Sequence, residues 1–158
     1  MSKGRSEFEK KIEKQGIHLE IFPLSRSTRT AVEAAQAINC QLGQIAKSIV
    51  FETASGKPVL VIASGANRID EKKLGELLGE RVQKAGADFV QKATGFAIGG
   101  VPPFGHPKPI KTFIDDDLLA FSEVWAAAGD PFSVFKTTSR FLQKASGAKV
   151  VAIAQEKA

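Results

Sequence analysis

The sequence predicts an α+β fold, a mixed or antiparallel sheet with helices packed outside it. Three observations point there. Helical and strand patterns follow one another without the strict alternation of a βαβ protein. Two pairs of apolar strand patterns flank tight turns and read as hairpins, 44–53 with 58–63 and 123–127 with 132–136. The 158 residues, 43% apolar and 25% charged, suffice for one core without disulfides or a structural metal, so a single domain over 1–158 is expected.

The elements follow in order. Residues 1–5 carry no apolar pattern and are expected to be loose. Ser6 and Glu9 have capping-box spacing, and Phe8 and Ile12 share a helical face, which predicts a helix over 7–15 closed by Gly16. Ile17, Leu19 and Ile21 alternate with polar residues as a strand would. Thr30 and Glu33 repeat the capping-box spacing ahead of an alanine-rich helix to about Asn39. The first hairpin turns at Ser55-Gly56-Lys57. Asp70 caps a helix through Leu78 that stops at Gly79, and a short helix over 87–93 ends at Gly95. Residues 99–107 hold too many glycines and prolines for regular structure. A strand over 110–114, a turn or short helix over 115–119 and the second hairpin come next. Thr138 or Ser139 caps a helix ended by Gly147, and 149–153 is a last strand.

Composition narrows the function classes. Twenty-two basic against 17 acidic residues leave a net charge of +5, which attracts a polyanion without identifying one. One cysteine, Cys40, allows no internal disulfide and suits a reducing cytosol. At an expected helix end it reads as a small, partly buried residue rather than a nucleophile. The first residues lack the apolar stretch of a signal peptide, and no apolar run approaches the ~20 residues of a membrane helix. A cytoplasmic protein with no membrane partner is expected.

Lys47 is the most informative single residue. On a strand over 44–53 it shares a face with Ile45, Ile49 and Phe51. An ammonium there either snorkels to water or reaches a partner in a cleft. Ser48 points to the opposite face, so the two are not an obvious Ser–Lys pair. The loop Gly99-Gly100-Val101-Pro102-Pro103-Phe104-Gly105-His106 comes second. Adjacent glycines bring backbone N–H groups close to a ligand, and the prolines stiffen the loop, which suits a developing oxyanion; a plain surface turn is the alternative. The loop is neither a Walker A motif nor a dinucleotide fingerprint, because no helix can start through Pro102-Pro103. His106 is placed to hydrogen-bond a substrate or move a proton, whereas His18 sits in a polar strand position and is expected to be solvated. Two separated histidines and one cysteine make no metal site. Asp115, Asp116 and Asp117 read as a solvated turn, since three consecutive aspartates are not expected to face one ion. Arg29, Lys72, Lys136 and other scattered cations could contact phosphates, but each alone is a surface charge.

From about Ala31 to Ile153 the chain resembles the YbaK/EbsC family, which includes the editing domain inserted in bacterial prolyl-tRNA synthetases. The resemblance rests on Leu42-Gly43, Ile45-Ala46-Lys47-Ser48-Ile49-Val50-Phe51, Val59-Leu60-Val61-Ile62, Arg68-Ile69-Asp70 and Lys73-Leu74. It continues through Thr94-Gly95-Phe96, the Gly99 to Gly105 loop, Ile114-Asp115, Asp117-Leu118 and Ala128-Gly129. It implies a mixed, barrel-like sheet surrounded by helices. It implies a free-standing trans-editing hydrolase that cleaves the ester of mischarged aminoacyl-tRNA, with tRNA for proline carrying a small wrong amino acid as the expected substrate. Lys47 would anchor the substrate, and Gly99 and Gly100 would stabilise the oxyanion through their N–H groups. Ser48, Val101, Pro102, Pro103, Phe104, Gly105 and His106 would line the substrate site. No cofactor or metal is implied; the acceptor end of aminoacyl-tRNA is the expected partner, and a synthetase a further one. The chain departs from the pattern at Gly65-Ala66-Asn67, where many relatives have Gly-Asp. A module that binds tRNA or a nucleotide without hydrolysis, and a hydrolase of other esters, are the alternatives.

Overall fold

The apolar run from Pro58 to Ser64 is the central strand, as its composition requires: Val59 to Ala63 are at most 2% exposed, which buries both faces of the strand at once. The structure, a computed structural model, describes residues 3–156. In chain order these form α1 (Lys3–Lys14), β1 (Ile21–Pro23), α2 (Ala31–Ile38), a 3₁₀ turn (Leu42–Gln44), β2 (Ile45–Thr53) and β3 (Pro58–Ser64). Then come α3 (Glu71–Leu78), β4 (Val82–Lys84), α4 (Ala87–Thr94), β5 (Lys111–Asp115) and a second 3₁₀ turn (Asp116–Ala120). The chain continues with β6 (Glu123–Ala127), β7 (Ser133–Thr138), α5 (Ser139–Ser146) and β8 (Lys149–Val151).

The eight strands form one mixed sheet, β1-β7-β6-β2-β3-β5-β8, with β4 also pairing β2. This is the expected α+β arrangement, barrel-like in its mixed pairing but open between β1 and β8. Pairs β2–β3 and β6–β7 are the two predicted antiparallel hairpins; β2–β6, β3–β5 and β5–β8 are parallel. One sheet face packs Leu60, Ile62, Ile114 and Phe135 against Phe8 and Ile12 of α1, Val90 of α4 and Leu142 of α5. The other packs Phe51, Val59, Val61 and Phe113 against Leu74 of α3.

Local signals hold where the cap chemistry is self-contained. The Thr30 hydroxyl accepts from the Glu33 N–H at 3.1 Å, the Asp70 carboxylate from the Lys73 N–H at 3.1 Å and the Thr138 hydroxyl from the Phe141 N–H at 3.0 Å. They fail where tertiary contacts intervene. Ser6 is inside α1 rather than at its cap, and Lys3 to Arg5, expected to be loose, are helical. There Gly4 lies directly against the Gly129 carbonyl, so packing extends the helix; Met1 and Ser2 lie outside the described residues. Ile17 and Leu19 pack against the core, but strand pairing begins only at Ile21, opposite Phe135. The last strand ends at Val151, and Ile69 and Ala154 form an isolated bridge beyond it.

Strand β2 is forked. Strand β3 occupies one of its edges from Ala46 to Glu52. On the other edge β6 pairs only with Ile45 and Ala46, and β4 only with Phe51 to Thr53. Between them no strand covers residues 47–50, although the Ala85 N–H donates to the Val50 carbonyl at 3.0 Å. Lys47 and Ser48 lie in that gap.

Candidate functional site

The fork opens into a cavity of about 430 Å³, ordinary for a small-molecule site. Because the β2 edge is bare there, residues from both strand faces reach the cavity, Lys47 and Ser48 among them. Its apolar walls include Ala34, Ile45, Val90, Trp125 and Val134. Among the described residues three cations line it, Arg29, Lys47 and Lys84, and no aspartate, glutamate or histidine does.

The Lys47 ammonium donates to the Asn67 backbone carbonyl at 2.6 Å. Burial pushes it below the ordinary lysine range, and the Lys84 and Arg68 charges push the same way, while the Asp115 carboxylate opposes them. The partner in a cleft, not a side chain snorkelling to water, is therefore the arrangement found. The Ser48 hydroxyl oxygen is buried without a hydrogen-bond partner. Arg29 is brought in by Thr28, whose N–H and hydroxyl both donate to the Pro131 carbonyl, at 2.6 and 2.8 Å.

The glycine-proline loop is built from α4 outward. Gly95 ends the helix, and the Thr94 hydroxyl donates to the Val90 carbonyl and accepts from the Phe96 N–H at 3.0 Å. A turn follows in which the Gly100 N–H donates to the Ala97 carbonyl at 2.9 Å. That amide, expected as an oxyanion donor, is engaged within the loop. The N–H groups of Gly99 and Val101, both cavity-lining residues, donate to no described protein acceptor. Gly99 has φ +90°, and a Cβ at Gly100 would stand 2.6 Å from Asp130 Cα, so the loop passes tightly over the β6–β7 turn.

The rest of the loop turns inward. Pro102 and Pro103 are buried and are not cavity-lining residues. Phe104 packs in the core against Phe8, Phe135 and Phe141, with ring centroids 5.8, 5.8 and 6.2 Å away. Gly105 stands beside the Phe8 ring. His106 Nε2 is 2.7 Å from the Pro102 carbonyl, to which it can only donate, and its ring meets Phe96 edge-on. None of these five positions lines the cavity among the described residues, and their contacts are packing contacts, because an apolar loop this close to the sheet gains burial by filling the core.

Burial pushes the His106 imidazole below its ordinary value of 6.5, with the Pro102 carbonyl pulling weakly the other way. The sign of the stability effect follows. A depressed folded value means the unfolded chain takes up the proton first, so the contribution is intact above pH 6.5 and is lost as pH falls through the folded value. His106→Phe is expected to flatten that part of the acid limb of stability, as read by chemical denaturation between pH 7 and about pH 5.

The acidic run differs from its expectation. Asp115 is wholly buried, and the carboxylate oxygens of Asp115, Asp116 and Asp117 come within 4.8 Å of one another. Sequence adjacency did not keep them apart, because the chain passes from β5 into a 3₁₀ turn there. Asp115 takes the Ser64 N–H at 3.1 Å and an Asn67 amide hydrogen at 2.9 Å, so its charge is spent on structure. Cys40 is partly buried at the end of α2 and burial raises its thiol, in keeping with an unreactive residue. Lys84, Trp125 and Asn67 were not among the expected site residues: β4 is three residues long, Trp125 gains its neighbours by strand pairing, and Asn67, visible only as a departure from a pattern, gains its own through side-chain hydrogen bonds to Asp115 and Asp117.

Among the described residues no helix is long and apolar enough to cross a membrane. The model of the aminoacyl-tRNA editing domain matches residues 25–145. The chain is 31% identical over 131 residues to the uncharacterized protein YwhH of Bacillus subtilis, covering 83% of each. It is 26% identical over 109 residues to EbsC of Enterococcus faecalis, a candidate Cys-tRNA(Pro)/Cys-tRNA(Cys) deacylase, covering 68% of this chain and 66% of that protein. A crystal structure of a candidate trans-editing enzyme for prolyl-tRNA synthetase superposes with a TM-score of 0.91 at 41% identity, covering 99% of both chains. With the match to the domain model spanning most of its length, the chain belongs to the aminoacyl-tRNA editing domain family.

Proposed function

We propose that this protein hydrolyses the ester of mischarged aminoacyl-tRNA as a free-standing editing enzyme, with tRNA for proline carrying a small wrong amino acid as its substrate. One observation carries the reading: a cavity that has, among the described residues, three cations, no carboxylate and two unengaged loop amides suits a polyanionic ester whose carbonyl gains negative charge. The resemblance of the whole chain to a candidate trans-editing enzyme for prolyl-tRNA synthetase supports the choice of tRNA.

Lys47 holds the terminal nucleotide by its ribose or phosphate oxygens. The Gly99 and Val101 N–H groups receive the carbonyl oxygen as water adds and the tetrahedral oxyanion forms. The carbon–oxygen bond to the ribose then breaks, and the ribose oxygen leaves with a proton. Among the described residues no lining side chain is a carboxylate or imidazole base, so the proton from water is relayed through the substrate's own vicinal hydroxyl or amino group to the departing ribose oxygen. An aminoacyl ester is activated enough for positioning and oxyanion stabilisation to suffice. Ser48 offers its unpaired hydroxyl to a polar group of the bound substrate. Ala34, Val90 and Val134 leave room for a small side chain.

The test is deacylation of tRNA for proline carrying alanine, cysteine, serine or threonine, beside correctly charged tRNA. One mischarged ester should be cleaved and the cognate ester spared, with KM rising steeply between 50 and 200 mM salt as phosphate contacts are screened. Tight tRNA binding with every ester left intact would favour a binding module instead.

A further inference from the structure

We propose that Asn67 is a positioning residue for Lys47, its side chain clamped between Asp115 and Asp117 so that its backbone carbonyl fixes where the ammonium of this cavity-lining residue stands. The inference rests on the substrate-binding role proposed for Lys47 above.

The chain of contacts is continuous. An amide NH₂ has two hydrogens, and Asn67 uses both, to Asp115 Oδ2 at 2.9 Å and to Asp117 Oδ2 at 2.8 Å. Its backbone N–H donates to the Ser64 carbonyl at 2.9 Å. Asp115 is fixed in turn by the Ser64 N–H on Oδ2 at 3.1 Å and the Asp117 N–H on Oδ1 at 3.0 Å. Asn67 is therefore tied to the ends of β3 and β5, and it presents its own carbonyl to Lys47 at 2.6 Å.

The residue type matters. Aspartate at 67 has the same length but cannot donate when ionised, and it would place a third negative group against Asp115 and Asp117. Here the acceptor facing Lys47 is a neutral carbonyl rather than a carboxylate. It takes one ammonium hydrogen and leaves the charge and two further hydrogens for the substrate. The buried Asp115 carboxylate supplies long-range compensation without forming an ion pair with Lys47.

The test compares wild type with Asn67→Ala, Asp117→Ala and Asp117→Asn. Two readouts are used: kcat and KM on the preferred mischarged tRNA, and the pH titration of Lys47 by competitive acetylation followed by mass spectrometry. The second needs no catalysis. Asn67→Ala and Asp117→Ala should lower kcat roughly 10- to 100-fold with a smaller change in KM, as expected for a misplaced contact group. Both should also move the Lys47 titration to lower pH, because the acceptor that favours its charged form is no longer held in place. Asp117→Asn keeps an oxygen for the Asn67 amide and should stay within about twofold of wild type. Asp117 is exposed, so its variants decide the matter even if Asn67→Ala does not fold. Folded alanine variants with wild-type kcat and an unmoved Lys47 titration would overturn the proposal. If wild type cleaves no ester, the functional reading fails, while the titration alone still supports or sinks the clamp.

Discussion

Replacing Lys47 with alanine is expected to lower kcat/KM for the mischarged ester by roughly 100- to 1,000-fold, the usual loss when one well-placed electrostatic group is removed from a reacting centre. The thermal midpoint should hardly move, or should rise. Lys47 is a partly buried cation held by one neutral carbonyl and repelled by Lys84 and Arg68, so the fold has little to lose with it. A variant that melts like wild type but no longer deacylates would separate a functional lysine from a structural one. Comparable activity in both proteins would remove Lys47 from the mechanism. A pH dependence belongs to the same prediction. Only the ammonium form anchors the substrate, and burial and like charges hold its titration below the ordinary lysine range, so kcat/KM should fall as pH rises through that lowered value. Lys84→Ala removes one of the repelling charges and should move that alkaline limb to higher pH.

The second large effect is expected at Gly100. A methyl group there would stand 2.6 Å from Asp130 Cα and 2.9 Å from its backbone N and C, and backbone cannot swing aside as a side chain would. Gly100→Ala should therefore push the loop off the β6–β7 turn at a cost of about 1–3 kcal/mol, lowering the midpoint by about 2–4 °C for each kcal/mol in a domain of this size. The loop carries the Gly99 and Val101 amides, and displacing them by about 1 Å should cost roughly 100-fold in kcat. The two effects are measured together, by calorimetry and single-turnover deacylation. A fall in the midpoint with kcat intact would show that the loop packs the molecule without stabilising the oxyanion.

The site was legible in the sequence to different depths. Lys47 stood out because a charge among Ile45, Ile49 and Phe51 is costly and needs a reason, and the cavity provides one. The loop stood out because adjacent glycines and prolines rule out regular structure. Which of its amides were free was not legible. Gly99 and Gly100 look alike in sequence, and only the turn onto Ala97 engages one of them. That Phe104 packs in the core and His106 against Phe96 was not legible for a related reason: motif membership says that a position is constrained, not whether packing or chemistry constrains it. Asn67 was visible only as a departure from a pattern. Its clamp joins the end of β3 to the turn after β5, close to 50 residues further along the chain.

By itself the sequence determined the α+β class, both hairpins, the helices with their own caps and the family. These depend on hydrophobic period, turn chemistry and side chains within about four residues of one another, which the chain encodes locally. The tertiary structure alone decided where β2 forks, because β6 and β4 come from distant segments and leave its edge bare between them. It also decided which cations converge there, which amides remain unengaged and which carboxylates, one buried and one exposed, hold Asn67. Those outcomes depend on non-local pairing and on competition for burial, and a local pattern does not specify either.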